Sequence, residues 1–208
     1  KTQGWVFEVP ANATGLVDPV PLYAMGRFNR EAACVDPRTG FVYLTEDRDD
    51  SVLYRFKPNI PGKLAAGGQL QAMQVVGIPD VRNWSGRNIK EGAPVAVRWL
   101  DLDGVKSPKD DLRFRAVSRG ATLVARGEGI HMGENEAFVC STSGGSAGLG
   151  QIFKLALSAS GDEDRLELFF ESVSHHQFNF GDNLTVAPNG HLVVCEDQYT
   201  VNVDNHLR

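Results

Sequence analysis

Pairs of acidic residues follow strongly apolar segments of this sequence, and they are its most informative candidates for chemistry. Glu46-Asp47 and Glu196-Asp197 hold equivalent positions after two such segments. An unpaired carboxylate beside a buried strand is costly, because burial removes the water that stabilises its charge. Several carboxylates gathered in one small volume suit hard cations, since these take about six to eight oxygen ligands.

The candidate metal ligands share an oxygen-bearing side chain and a position near the end of a predicted strand. They are Glu31, Glu46, Asp47, Glu128, Asp182, Asn183, Glu196 and Asp197. The alternative for any one of them is a role in a turn or at a solvated strand edge, where such side chains are common. Their repetition along the chain favours a shared metal site.

Arg126 is the candidate for binding an anionic substrate. It lies two positions before Glu128, and residues two apart in a strand face the same side of the sheet. A guanidinium beside a metal cluster is suited to a phosphate dianion, which it can grip through two oxygens. The alternative is an ordinary salt bridge between Arg126 and one of the acids.

Three segments of the sequence repeat one pattern that would position these side chains. They are residues 31–47, 128–142 and 183–197. Each begins with an oxygen-bearing residue, continues as an apolar strand, turns at Asp, Gly or Asn, and returns as a second strand closed by polar residues. Hairpins of this kind, stacked radially, form the blades of a β-propeller, whose inner strand ends converge at a central channel. The predicted fold is mainly β, a partial β-propeller with several blades of four-stranded antiparallel sheet.

One segment has the signals of a helix instead. Ser107-Pro108 matches an N-cap followed by proline at the first helical position, and two aspartates come soon after it. Gly120 marks the C-terminal end, so one short helix is predicted around 108–120. The range 59–104 has no repeat and much Gly and Pro, and it is interpreted as an extended insertion carrying a strand or two.

Composition excludes several classes of function. The chain is 42% hydrophobic and 23% charged, which is typical of a globular domain. Its net charge is −5 and no basic stretch exceeds two residues, so it lacks the clustered positive charge of a nucleic-acid-binding protein. No apolar run approaches the roughly 18 residues of a membrane span. Residues 1–208 are interpreted as one propeller segment, and we expect it to be part of a longer domain.

Six stretches of the sequence carry a resemblance to a known family. They are Arg30–Ala33, Tyr43–Asp47, Val52–Pro58, Leu64–Met73, Arg126–Gly129 and Gly181–Asp197. In order along nearly the whole chain, they resemble the PhoX family of alkaline phosphatases. The Glu-Asp and Arg-x-Glu-Gly motifs are specific in combination, although neither is specific alone.

The resemblance implies an exported bacterial enzyme, periplasmic or secreted, that hydrolyses small phosphomonoesters. It also implies a cluster of Ca²⁺ and Fe³⁺ in the propeller channel. By motif, the implied cluster ligands are Glu31, Glu46, Glu128 and Glu196, with Asp182 and Asn183 nearby. The implied catalytic residues are Arg126, as the contact to the substrate phosphate, and Glu128.

Two departures from the family pattern accompany the resemblance. The family usually has His at the position of Arg30, and its iron-binding Cys belongs to a segment that would precede Lys1. Two other functions stay open: a non-catalytic propeller that binds calcium, and another propeller hydrolase of the phytase or lactonase type.

Overall fold

The structure is a computed structural model that describes residues 3–199 and 204–208, and this part of the chain is mainly β. Its strands are β1 (Arg30–Val35), β2 (Val42–Glu46), β3 (Tyr54–Pro58), β4 (Gly68–Val75), β5 (Val95–Asp101), β6 (Gly127–Met132), β7 (Glu136–Ser141), β8 (Gln151–Ala156), β9 (Arg165–Glu171), β10 (Gly181–Val186) and β11 (Leu192–Glu196). The helices are α1 (Leu112–Ser118) and two short 3-10 turns, Tyr23–Met25 and Leu64–Ala66.

The strands form two antiparallel four-stranded blades and the first hairpin of a third. Strands β1 to β4 are the first blade, β6 to β9 are the second, and β10 pairs with β11. Strand β5 pairs with both β4 and β9, so the two blades join at their outer edges into one nine-stranded sheet. The inner strands β1, β6 and β10 lie side by side. The predicted partial β-propeller is confirmed.

Strand β2 is buried on both faces, which explains its unbroken run of apolar residues. Tyr43 packs in the core cluster between the two blades, together with Met73, Val139 and Phe153. Leu44 faces the opposite way, into a second cluster built around Tyr54 and α1. Successive side chains of a strand point to opposite faces. Glu46, which ends β2, and Asp47, which follows it, are therefore expected to face opposite sides of the sheet.

The predicted helix is present but shorter than expected. Ser107 and Asp110 have positive φ angles of 36° and 56°, so the residues before Leu112 form a turn and not the first helical turn. Ser107 stabilises this turn and does not cap the helix: its Oγ accepts a hydrogen bond at 3.0 Å from the backbone N–H of Asp111, the residue before the first helical one. Leu112 and Ala116 anchor α1 in the second core cluster.

The range 59–104, interpreted above as an insertion, contains two strands that both pair with blade strands. Strand β4 completes the first blade, and β5 connects it to the second. The segment 76–94 between them contains only isolated bridges and turns. No helix in the described part of the chain is long and apolar enough to cross a membrane.

Candidate metal centre

Three carboxylates from two blades meet at the channel side of the inner strands. Ligand-capable oxygens of Glu31, Asp47 and Glu128 all lie within 4.8 Å of one another. Glu31 is on β1, Asp47 directly follows β2, and Glu128 is on β6. Glu128 is buried, Asp47 is half-buried and Glu31 is exposed, so the group lies at the edge of the protein interior.

A shift of strand register occurs at one equivalent place in all three hairpins. It lies at residues 30–33, 127–130 and 181–184. Register shifts of this kind, as at a β-bulge, change the direction in which side chains point and are frequent beside functional sites. Glu31, Glu128 and Asp182 are each the second residue of their inner strand and fall inside the shift. Asp182, rather than Asn183, is therefore the structural equivalent of Glu31 and Glu128.

The ends of the three hairpins are also fixed by one repeated backbone hydrogen bond. The residue after each return strand donates its N–H to the carbonyl of the residue before the inner strand. These bonds are Asp47 to Asn29 at 2.9 Å, Thr142 to Arg126 at 3.0 Å and Asp197 to Phe180 at 2.9 Å. The bond at Asp47 is reinforced by a return bond from Asn29 Nδ2 to its carbonyl at 2.8 Å. Asp47 is thus held against the start of β1.

Thr45 connects the strands that supply the three carboxylates. Its Oγ1 donates to the carbonyl of Glu128 at 2.6 Å and accepts from the N–H of Ala32 at 2.9 Å. One buried hydroxyl therefore ties β2 to both β1 and β6. The relative positions of Glu31, Asp47 and Glu128 depend on this link.

Strand β10 lies close against β6, which brings Asp182 and Asn183 near the group. A Cβ on Gly129 would be 2.6 Å from Asn183 Oδ1 and 2.8 Å from the Asp182 carbonyl, so only glycine fits there. Asp182 also raises the pKa values of Glu31 and Glu128, which places its charge near theirs. Asn183 is exposed, and its Oδ1 accepts a bond from the N–H of Leu184.

Glu46 does not join the three-carboxylate group, contrary to the expected convergence. It lies two positions after Leu44 and so faces the core side of β2, where Tyr54 donates a hydrogen bond to its Oε2 at 2.9 Å. Arg113 Nη1 lies 3.7 Å from Oε1. Burial raises the pKa of Glu46 to about 7, although Tyr54 and Arg113 oppose the rise.

Glu196 is the equivalent of Glu46 in the third hairpin, and its carboxylate too is held by other groups. Its Oε1 accepts bonds from the N–H of Asn179 at 3.0 Å and from Arg208 Nε at 2.9 Å. Its Oε2 accepts the N–H of His206 at 2.9 Å. Burial alone would raise the pKa of Glu196, but these donors outweigh it and lower the pKa. A ligand role for Glu46 or Glu196 stays a prediction.

Arg126 lies directly on the carboxylate group. Its Nε donates to Asp47 Oδ1 at 2.6 Å, and its Nη2 donates to Glu128 Oε1 at 2.9 Å. Arg126 has a positive φ of 47° just before β6 begins. About a third of its side chain, 33%, stays exposed. The structure shows the salt bridges that were the alternative for Arg126, and a contact with a substrate phosphate stays a prediction.

The group carries more negative charge than Arg126 offsets. Burial, and after it the negative charge of Asp47, raises the pKa of Glu128 to about 8, although Arg126 opposes the rise. Burial also raises the pKa of Glu31, as do Asp182 and Asp47. Carboxylates this close repel one another when all are ionised, which raises their pKa values. A bound cation among them stabilises the ionised forms.

A family model described as alkaline phosphatase PhoX matches residues 1–206. The chain belongs to the PhoX alkaline phosphatase family. Comparison with curated proteins gives no match. Among solved structures, the chain is similar to Pseudomonas fluorescens PhoX in complex with vanadate, a transition state analogue, with 17% sequence identity and a TM-score of 0.68.

The similarity to that PhoX structure covers 98% of this chain and 46% of the other. The chain therefore spans less than half the length of the solved PhoX protein. At this identity the likeness concerns the fold, and it agrees with the propeller blades described above. Family membership rests on the match along residues 1–206.

Proposed function

We propose that this chain supplies part of the metal centre of a phosphomonoester hydrolase of the alkaline phosphatase type. The observation that carries the proposal is the meeting of Glu31, Asp47 and Glu128 with Arg126 across two blades. Membership of the PhoX family supports the reaction class. The proposed substrate is a small phosphomonoester, and the proposed location is periplasmic or secreted.

The donor set fits hard cations. Carboxylate oxygens are the preferred ligands of Ca²⁺, and the mutual repulsion of Glu31, Asp47 and Glu128 is relieved when a cation lies among them. Asp182 adds a fourth carboxylate close by. We propose that these residues hold calcium ions of a calcium and iron cluster. The iron is proposed from the family resemblance.

The protein side chains have distinct roles in the proposed reaction. Bound cations supply positive charge that offsets the charge on the phosphoryl oxygens. Arg126 grips the phosphoryl group through its exposed edge, because a planar guanidinium presents parallel N–H donors to two oxygens. Asp47 and Glu128 orient that guanidinium by their hydrogen bonds to Nε and Nη2. Arg126 is thereby placed before the substrate arrives, and its charge stabilises the transition state.

The proposal is tested on the full-length protein that carries this chain. We expect hydrolysis of p-nitrophenyl phosphate and loss of that activity when metal is removed with a chelator. Elemental analysis should find calcium together with iron. Calcium without any hydrolysis would favour a non-catalytic calcium-binding propeller, and hydrolysis of a different ester without iron would favour another propeller hydrolase.

A further inference from the structure

A cationic pocket lies next to the proposed metal centre. It has a volume of about 520 Å³ near the start of β1. Four of its lining residues are cationic, namely Arg27, Arg30, Arg48 and Lys109, and one is acidic, Asp110. This local excess of positive charge contrasts with the net charge of −5 of the whole chain.

The pocket and the metal centre share two backbone segments. Asn29 lines the pocket and exchanges two hydrogen bonds with Asp47, one through its carbonyl and one through Nδ2. Arg30 directly precedes Glu31, and Arg48 directly follows Asp47. The lining of the pocket therefore begins one residue away from two of the three carboxylates of the proposed centre.

Two of the arginines have buried donors with no hydrogen-bond partner among the described residues. They are Nε and Nη1 of Arg30 and Nε of Arg48. The guanidinium of Arg30 is itself held firmly, because Nη2 donates to the carbonyls of Met25 and Gly26, each at 2.9 Å. It also lies 3.9 Å from the centre of the Phe28 ring. Buried cationic donors without partners are costly, and an anion that accepts their hydrogen bonds removes that cost.

The acid in the pocket does not neutralise these cations. Asp110 Oδ2 lies 3.8 Å from Arg48 Nη2, and its Oδ1 lies 3.5 Å from Arg113 Nη1, outside the pocket lining. Both distances are longer than a charge-assisted hydrogen bond, and the Asp110 side chain is 44% exposed. One carboxylate at this distance leaves the lining of the pocket, with its four cationic side chains, net positive.

We propose that this pocket binds a second anionic group of the substrate, a carboxylate or a phosphate, while the scissile phosphate lies at Arg126. This inference rests on the proposed phosphatase function and deepens it. The favoured substrates are phosphomonoesters of hydroxy acids and bisphosphates. Phosphomonoesters with no other charge lack the group that the pocket receives.

The test uses Arg48→Ala and Lys109→Ala in the full-length protein. Arg30 is left intact, because its bonds to Met25 and Gly26 support the chain and its replacement risks unfolding. The matched control is Arg98→Ala, which removes the same charge from an exposed position on β5. All variants keep their backbone hydrogen bonds, including the one from the N–H of Arg126 to the carbonyl of Arg48.

The first measurement is calorimetric titration with inorganic sulfate, which needs no catalytic activity. We expect Arg48→Ala and Lys109→Ala to weaken sulfate binding by about tenfold each, as for the loss of one charge-assisted hydrogen bond. Arg98→Ala should bind sulfate as the unmodified protein does. Sulfate binding that is equal in all four proteins would overturn the pocket as an anion site.

The second measurement compares kcat/KM for 3-phosphoglycerate and glycerol 3-phosphate, which differ by one carboxylate. We expect the ratio to fall about tenfold in Arg48→Ala and Lys109→Ala and to stay constant in Arg98→Ala. An unchanged ratio together with weakened sulfate binding would overturn the link to the substrate, because the pocket would then take a separate anion. If the unmodified protein hydrolyses neither ester, the proposed function is rejected. The sulfate titration would then still show whether the pocket binds an anion.

Discussion

Arg126 Nε donates a hydrogen bond of 2.6 Å to Asp47 Oδ1, although 79 positions separate the two residues in the sequence. The same guanidinium binds Glu128 of the second blade at 2.9 Å. One arginine therefore links an acid that directly follows β2 of the first blade to an acid near the start of β6 in the second blade. This link is the centre of the proposed site.

Replacing Arg126 by lysine tests whether the planar guanidinium binds the phosphoryl group. We expect kcat/KM for p-nitrophenyl phosphate to fall by about 10- to 100-fold, roughly 1.4 to 2.7 kcal/mol, because an ammonium offers one point of charge. Inhibition by free phosphate should weaken in parallel. Bound metal should stay constant, since the backbone bonds at Asp47 do not involve this side chain.

The same variant can also show that Arg126 does not bind the phosphoryl group of the substrate. Unchanged kinetics in fully metallated Arg126→Lys would leave Arg126 as a structural ion pair. Loss of metal would show instead that its main task is to hold the two carboxylates in place.

Thr45→Val tests the hydroxyl that connects β2 to β1 and β6. Valine keeps the shape but leaves the N–H of Ala32 and the carbonyl of Glu128 without their partner. We expect the free energy of unfolding in urea to fall by about 1 to 3 kcal/mol, the usual cost of an unsatisfied buried group. Metal affinity should fall as well, because Glu128 is no longer held against β2. In the control Thr185→Val, at an exposed position of β10, both quantities should stay within experimental error.

The environment of Glu171 predicts how the stability of the fold depends on pH. Burial would raise its pKa, but hydrogen bonds from Ser146, Asn83 and Gln151 outweigh burial and lower the pKa below its ordinary value of 4.5. The folded state therefore favours the ionised carboxylate. Its contribution to stability is present above about pH 4.5 and is lost as the pH falls through the lowered pKa.

The Glu171 prediction is measured as the difference in unfolding free energy between Glu171→Gln and the unmodified protein. The variant should be less stable by about 1 to 3 kcal/mol at pH 7, and the difference should shrink below about pH 4.5. Glu167→Gln on the same strand is the control, since its 3.9 Å contact with Lys154 is partly exposed and contributes little. A difference for Glu171→Gln that grows on acidification would contradict the predicted direction.

The propeller could be predicted from the sequence because its blades repeat. Alternation, turn residues and the matching positions of the acids are local properties, and the hairpins 31–47, 128–142 and 183–197 followed from them. The length of α1 could not be predicted in the same way. Ser107 and Asp110 adopt positive φ angles, which the capping pattern alone does not reveal.

The membership of the carboxylate group was only partly predictable. Glu31 and Glu128 are expected there, but of the pair Glu46-Asp47 the family resemblance implies Glu46, whereas Asp47 is the residue that joins the group. The signal was available in the alternation of β2, since Glu46 shares the face of Leu44 and Asp47 does not. The register shift that makes Asp182 equivalent to Glu31 was not visible, because it arises from the pairing of strands.

The metal content of two neighbouring variants, Asp47→Asn and Glu46→Gln, tests the proposed centre most directly. Both replace a carboxyl group by an amide at adjacent positions, but only Asp47 lies with Glu31 and Glu128. Elemental analysis of the full-length protein should find metal strongly reduced in Asp47→Asn, with phosphatase activity lost, and retained in Glu46→Gln. Full metal content in Asp47→Asn together with loss of metal in Glu46→Gln would contradict the assignment of the centre to Glu31, Asp47 and Glu128.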